Sequence, residues 1–128
     1  MAQRYEKNYD WSQLGPTPWT ERSVVTLQVD LHSYDRGGAL WTAVEQWWSG
    51  MEKDVDRELF PDGAQAAFAG GCRFPAPVRV TEHHVTAWVV SHGEDAFDSI
   101  AHYAEELRRV AESADAEVVV TWTELPHR

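Results

Sequence analysis

The sequence predicts one α+β domain, a ferredoxin-like βαββαβ sandwich with a four-stranded antiparallel sheet and two helices on one face. Three observations predict this fold. Apolar residues alternate with a period of two in several short segments, and two longer segments have the apolar spacing of amphipathic helices. The elements follow the order strand, helix, strand, strand, helix, strand. Right-handed crossovers between strands would place both helices on the same face of the sheet.

The strands are predicted from alternation. The clearest strand spans residues 23–32, in which apolar and polar side chains alternate as in a sheet that is covered on one face. A hairpin is predicted over residues 78–91 with its turn near residues 82 and 83, and a last strand over residues 117–123. Residues 60–77 are rich in Gly and Ala and have no clear period, so they receive no assignment.

Helices are predicted over residues 38–59 and 94–113, where apolar residues recur every three or four positions. In the first helix, Glu45, Glu52 and Asp56 fall on the side opposite the apolar stripe. In the second helix, acidic residues come early and arginines come late, which suits the helix dipole.

The domain is expected to span residues 23–128, preceded by an irregular leader over residues 1–22. Two prolines within four residues of this leader disfavour a helix there. Trp11, Leu14 and Trp19 lie in the leader, and large apolar side chains favour burial. We therefore expect the leader to pack on the domain.

The chain is strongly acidic, with 21 acidic and 11 basic side chains and a formal net charge of −10. This charge repels phosphate groups, which argues against direct nucleic-acid binding and against an anionic membrane surface, and it favours a basic partner. The single cysteine excludes an internal disulfide, and no segment has the roughly 18 consecutive apolar residues of a membrane span. We expect a cytoplasmic protein. The bias toward Arg, Ala and Val over Lys, Asn and Ile suggests a GC-rich bacterial or phage genome.

The sheet face without helices is the first candidate binding site. By alternation it should display Asp30 and His32 from the first strand and Trp88 from the third. A carboxylate beside an imidazole is suited to acid–base chemistry. The alternatives are a polar face in contact with solvent, a face covered by the leader, or a homodimer that buries Trp88.

The first predicted helix is the second candidate. Trp41, Trp47 and Trp48 could line an apolar ligand pocket or anchor an interface, because Trp is frequent in binding hot spots. Core packing is the alternative, and we expect it for two of the three. Together with Glu45, Glu52 and Asp56, the tryptophans suggest a docking surface for a basic protein.

No sequence motif indicates a cofactor or metal ion. His83 and His84 are adjacent on a predicted strand and should point to opposite faces, and no HxH, HExxH or CxxC spacing occurs. No nucleophile elbow or phosphate-binding glycine pattern is present either. We therefore expect no metal and no cofactor, and the missing motifs favour a non-enzymatic protein over an enzyme.

These observations rank three functional hypotheses. The first is a small acidic protein-binding factor, such as an inhibitor, an immunity-type protein or an accessory protein, that docks a basic protein partner. The second is a ferredoxin-like enzyme or binding protein for a small molecule with an apolar, Trp-lined pocket. The third is a phage structural component, which composition does not distinguish from the first.

Overall fold

The computed structural model describes residues 4–6, 24–34, 38–57, 62–92 and 96–127. Within these residues the chain has an α+β fold with two helices and one seven-stranded antiparallel sheet, which confirms the predicted class. The helices are α1 (Ala39–Ser49) and α2 (Ala96–Ala114). The strands are β1 (Val24–His32), β2 (Glu52–Val55), β3 (Gln65–Ala69), β4 (Cys72–Phe74), β5 (Val78–Thr81), β6 (His84–His92) and β7 (Val119–His127).

The sheet is built around β1, which lies between β6 and β7 and pairs with both along its full length. The strand order is β2, β3, β4, β6, β1, β7, and β5 also pairs with β6. The β5–β6 hairpin turns at residues 82 and 83, where the sequence predicts a turn. None of the helices in the described residues is long and apolar enough to cross a membrane.

One face of the sheet forms the hydrophobic core. The odd-numbered residues of β1, from Val25 to Leu31, are at most 1% exposed, as their alternation predicts. Val44 of α1 and both Ile100 and Leu107 of α2 belong to the same buried cluster. Both helices therefore cover this face of the sheet, since burial of large aliphatic side chains, each worth about 1.5–3 kcal/mol, drives them onto it.

The first helix is shorter than predicted. It ends at Ser49 because Gly50 caps it, with the Gly50 N–H donating to the carbonyl of Gln46 at 3.0 Å. The chain then forms β2, which pairs with β3, so the predicted helix over 50–59 is wrong for residues 52–55. Met51 and Val55 fit the helical period, but Met51 follows the helix and Val55 is 46% exposed on a strand.

The predicted sheet of four strands is also wrong, because β2, β3 and β4 are three further strands. Two of them lie in residues 60–77, to which the sequence assigns no element. β3 and β4 form a hairpin through Gly70 and Gly71, whose φ angles of 52° and 82° are left-handed. Two consecutive positive φ angles are what a tight two-residue hairpin turn requires, and glycine adopts them without strain.

Most of the predicted leader, including Trp11, Leu14 and Trp19, lies outside the described residues. Its described part contacts β7: the Tyr5 ring lies 5.6 Å from that of Trp122, and the Tyr5 hydroxyl donates to Glu124 at 3.0 Å.

Candidate functional site

The candidate site lies on the side of β1, β6 and β7 that faces away from the helices, which we call the central open face. Its members follow from the register in which Asp30 pairs with Thr86 and with Thr121. They are Val24, Thr26, Gln28, Asp30 and His32 of β1, His84, Thr86, Trp88, Val90 and His92 of β6, and Val119, Thr121, Thr123 and Leu125 of β7. The structure thus places Asp30, His32 and Trp88 together on the face that alternation predicts.

Asp30 is the centre of a hydrogen-bond network on this face. His84 Nε2 lies 2.8 Å from Asp30 Oδ1, and the Thr86 hydroxyl donates to the same oxygen at 2.7 Å. The Gln28 amide donates to Asp30 Oδ2 at 3.0 Å, and Trp88 Nε1 donates to Gln28 Oε1 at 3.4 Å. The network therefore connects the carboxylate to the indole across two strands.

A second imidazole borders the network. The His32 ring stacks on the His84 ring with a centroid distance of 4.2 Å and an interplanar angle of 19°. This stacking follows from the register, which pairs His32 with His84 at the end of the two strands.

The network stabilises the ionised form of Asp30, whose side chain is 18% exposed. Burial acts to raise the pKa of Asp30, but the donated hydrogen bonds and the charge of protonated His84 outweigh burial and lower it. Asp30 is therefore a carboxylate at neutral pH.

The network determines how the imidazole of His84 is held. Asp30 can orient the imidazole of His84, as carboxylates do in acid–base pairs. The Thr86 hydroxyl lies 3.2 Å from His84 Nε2 and donates to Asp30. Among the described residues, no group of three His, Cys, Asp or Glu side chains could hold a metal ion.

A groove of about 460 Å³ lies beside Trp88. One wall is the central open face, and the other comes from the segment before β3 and from the β4–β5 connection. The lining residues are Thr26, Ala64, Gln65, Pro75, Ala76, Val78, Trp88 and Val90. None of them has an ionisable side chain.

Acidic residues flank the central open face on the outer strands. The register places Arg73 of β4 opposite Val90, hence on the same side of the sheet, and Arg73 forms an ion pair of 3.1 Å with Asp56. Farther from β1, at the edge of the sheet, Glu52 and Asp54 of β2 are exposed.

The acidic helix face predicted from the sequence does not form. Glu45 is exposed on α1, but Glu52 lies on β2 and Asp56 follows it, because the helix ends at Ser49. Asp56 is only 9% exposed and is paired with Arg73, so it is not available as a surface acid.

The three tryptophans of α1 pack against the core. Trp48 Nε1 donates to the carbonyl of Phe74 at 2.8 Å, and the Trp47 ring contacts the Phe74 ring edge-on at 5.4 Å. Trp41 is partly buried against the same cluster. All three contribute to packing, and all three are partly buried rather than exposed.

Sequence reasoning missed His84 as a member of this face, because the adjacent pair His83 and His84 bears in sequence only on metal binding. Alternation along β6 could have found it, because His84 is two positions from Thr86 and four from Trp88 and therefore shares their face of the strand. His83 lies in the turn, with its Nδ1 at 2.9 Å from the Ser33 carbonyl.

Comparisons with known proteins add no assignment: the chain matches no family model, no curated protein and no solved structure.

Proposed function

We propose that this chain is a protein-binding factor that holds its partner on the central open face. The observation that supports the proposal is the distribution of charge. The chain has a net charge of −10, yet among the described residues of the central open face Asp30 is the one carboxylate, and none is Lys or Arg. Asp30 is in turn hydrogen-bonded by three neighbouring side chains.

The composition of this face resembles the core of a protein interface. Interface cores are depleted in charged residues and enriched in aromatic ones, and exposed apolar area on a sheet face favours contact with another surface. Val119 and Leu125 are 53% and 47% exposed on β7, and Val78, which faces the same side from β5, is 47% exposed. Trp88 supplies an aromatic side chain near the middle.

The flanking acids favour a basic partner. Glu52 and Asp54 lie beyond the uncharged area on β2, so a partner with an apolar centre and a basic margin would be complementary in charge. Long-range attraction would accelerate its association. An inhibitor, an immunity-type protein or an accessory protein would each use such a surface, and so would a phage structural component.

The fold beneath this surface is consistent with a ferredoxin-like core to which β2, β3 and β4 are added. β7, β1, β6 and β5 are neighbours in that order, α1 follows β1, and α2 connects β6 to β7. The proposed location is a reducing cytosol, with which the buried free thiol of Cys72 is compatible.

The proposal is tested with a matched pair of substitutions. Thr123 and Thr42 are both exposed, but Thr123 is on the central open face and Thr42 is on α1. A partner captured from the native host should bind the Thr123→Lys variant at least about tenfold more weakly, a loss of about 1.4 kcal/mol, because the variant buries a charge. Thr42→Lys should bind normally. Equal binding by both variants would contradict the proposed surface.

Surface plasmon resonance at several salt concentrations tests the contribution of charge. Neutralising the exposed acidic residues of β2 with Glu52→Gln and Asp54→Asn should lower the association rate, whereas Glu106→Gln on α2 should not. Salt should slow association, since surface charges are screened within about 8–10 Å at physiological ionic strength. If sedimentation instead shows a dimer that Thr123→Lys dissociates, the partner on this face is a second copy.

A further inference from the structure

We propose that the groove beside Trp88 is a binding site for an uncharged, mainly apolar small molecule. This inference goes beyond the proposed protein interface and rests on a different observation, the shape and lining of the groove. Its volume of about 460 Å³ lies within the range of about 300–1,000 Å³ that is usual for small-molecule sites.

Charge indicates that the ligand is uncharged. None of the lining residues is ionisable, so an anion would find no cationic side chain there and would be repelled by a protein of net charge −10. A cation would need a carboxylate with free acceptor positions. Asp30 does not line the groove, and its two oxygens already accept hydrogen bonds from His84, Thr86 and Gln28.

The aromatic wall of the groove is held in place before any ligand binds. Trp88 Nε1 donates to Gln28, and Gln28 donates to Asp30, so the indole is connected to the hydrogen-bond network of the sheet. Val78, which is 47% exposed, and Pro75 supply adjoining apolar surface. Such a preformed wall reduces the entropy lost on binding and favours a flat aromatic ligand.

The polar groups of the groove limit what else the ligand contains. Thr26 provides a hydroxyl and Gln65 provides an amide, and the remaining lining side chains are apolar or aromatic. A ligand with one or two hydrogen-bonding groups on an apolar body matches this set, because further polar groups would be desolvated without partners.

Two dyes with the same anilinonaphthalene skeleton test the inference on the full chain. N-phenyl-1-naphthylamine is uncharged, and 8-anilinonaphthalene-1-sulfonate has one negative charge. We expect the uncharged dye to show saturable fluorescence enhancement with one site per chain and an affinity at least about tenfold higher than that of the sulfonate.

Substitutions locate the site. Ala76 is exposed and lines the groove, so Ala76→Trp should fill the groove without disturbing the core and should lower the affinity of the uncharged dye at least about tenfold. Ala116→Trp, in the exposed turn before β7, is the matched control and should bind the dye like the parent chain. Trp88→Phe, which keeps an aromatic ring, should weaken binding less than Trp88→Ala.

Three results would overturn the inference. The first is no saturable binding of the uncharged dye, including the case in which a dimer or the leader occupies the groove. The second is equal affinity for the sulfonate, and the third is unchanged binding in Ala76→Trp. Loss of partner binding in Thr123→Lys with intact dye binding would separate this site from the proposed protein interface.

Discussion

Replacing Asp30 by Asn tests whether the network on the central open face contributes to stability. Asn keeps the shape of Asp but has one acceptor oxygen and one donor group instead of two acceptors. If the oxygen faces His84 and Thr86, the new amide faces the donor of Gln28. Rotating the Gln28 amide would then turn its donor toward Trp88 Nε1. In the opposite orientation the new amide can donate to the Thr86 hydroxyl and to a neutral His84 imidazole, and the oxygen accepts from Gln28, so the contacts persist only as hydrogen bonds between neutral groups.

The expected decrease in the free energy of unfolding follows from these hydrogen bonds. Hydrogen bonds to a charged group contribute about 1.5–3 kcal/mol each, against about 1 kcal/mol for neutral ones. The variant replaces hydrogen bonds to a charged group by weaker neutral ones, but the Asp30 side chain is 18% exposed, so water compensates in part. We expect the free energy of unfolding at neutral pH to fall by about 1–3 kcal/mol. The exposed Asp54, which accepts one backbone hydrogen bond from Val55, provides the control Asp54→Asn, with a change below about 0.5 kcal/mol.

Urea unfolding at several pH values tests whether the stabilising contribution of Asp30 depends on its ionised form. The pKa of Asp30 is lower in the folded chain than in the unfolded chain, so its stabilising contribution is complete above the unfolded value of about 3.9. The contribution is lost as the pH falls through the lower, folded pKa. The difference between the parent chain and Asp30→Asn should therefore shrink below about pH 4. A difference that is absent at neutral pH, or that persists unchanged in acid, would refute this account of the network.

Three further predictions concern the fold. Leu27→Ala, on the buried face of β1, should cost about 2–5 kcal/mol in urea unfolding, whereas Leu125→Ala, on the opposite face of β7, should cost less than about 1 kcal/mol; equal costs would mean that the faces are reversed. Gly70→Ala should lower the unfolding free energy by about 1–2 kcal/mol, because φ is positive there and a Cβ would overlap the Tyr103 hydroxyl; an unchanged midpoint would contradict this. Cys72 should react with a thiol reagent only on unfolding, since burial raises its pKa to about 11; rapid labelling of the native chain would show that it is accessible.

The sequence by itself determined the elements whose side chains repeat a clear pattern. β1 was predictable because a strand covered on one face must alternate, and its odd-numbered residues are all buried. α2 was predictable within about two residues because its apolar stripe continues over five turns. The same alternation placed Asp30, His32 and Trp88 on one face, since side chains on a strand point up and down in turn.

Only the tertiary structure decided the part of the sheet from β2 to β4. Residues 52–55 fit a helical period as well as a strand, and they form a strand because Gly50 ends the helix and β3 supplies hydrogen-bond partners. β4 has three residues, too few for alternation to be visible in the sequence. Pairing between distant segments, rather than local pattern, therefore determined these strands.

The site itself also required the tertiary structure. Asp30 and His84 are 54 positions apart, and they meet because the register of β1 against β6 sets them side by side. The groove beside Trp88 needs, in addition, the β4–β5 connection to lie over β6. Side-chain alternation indicates which face of a strand a residue occupies, but the register between strands determines which residues are neighbours on that face.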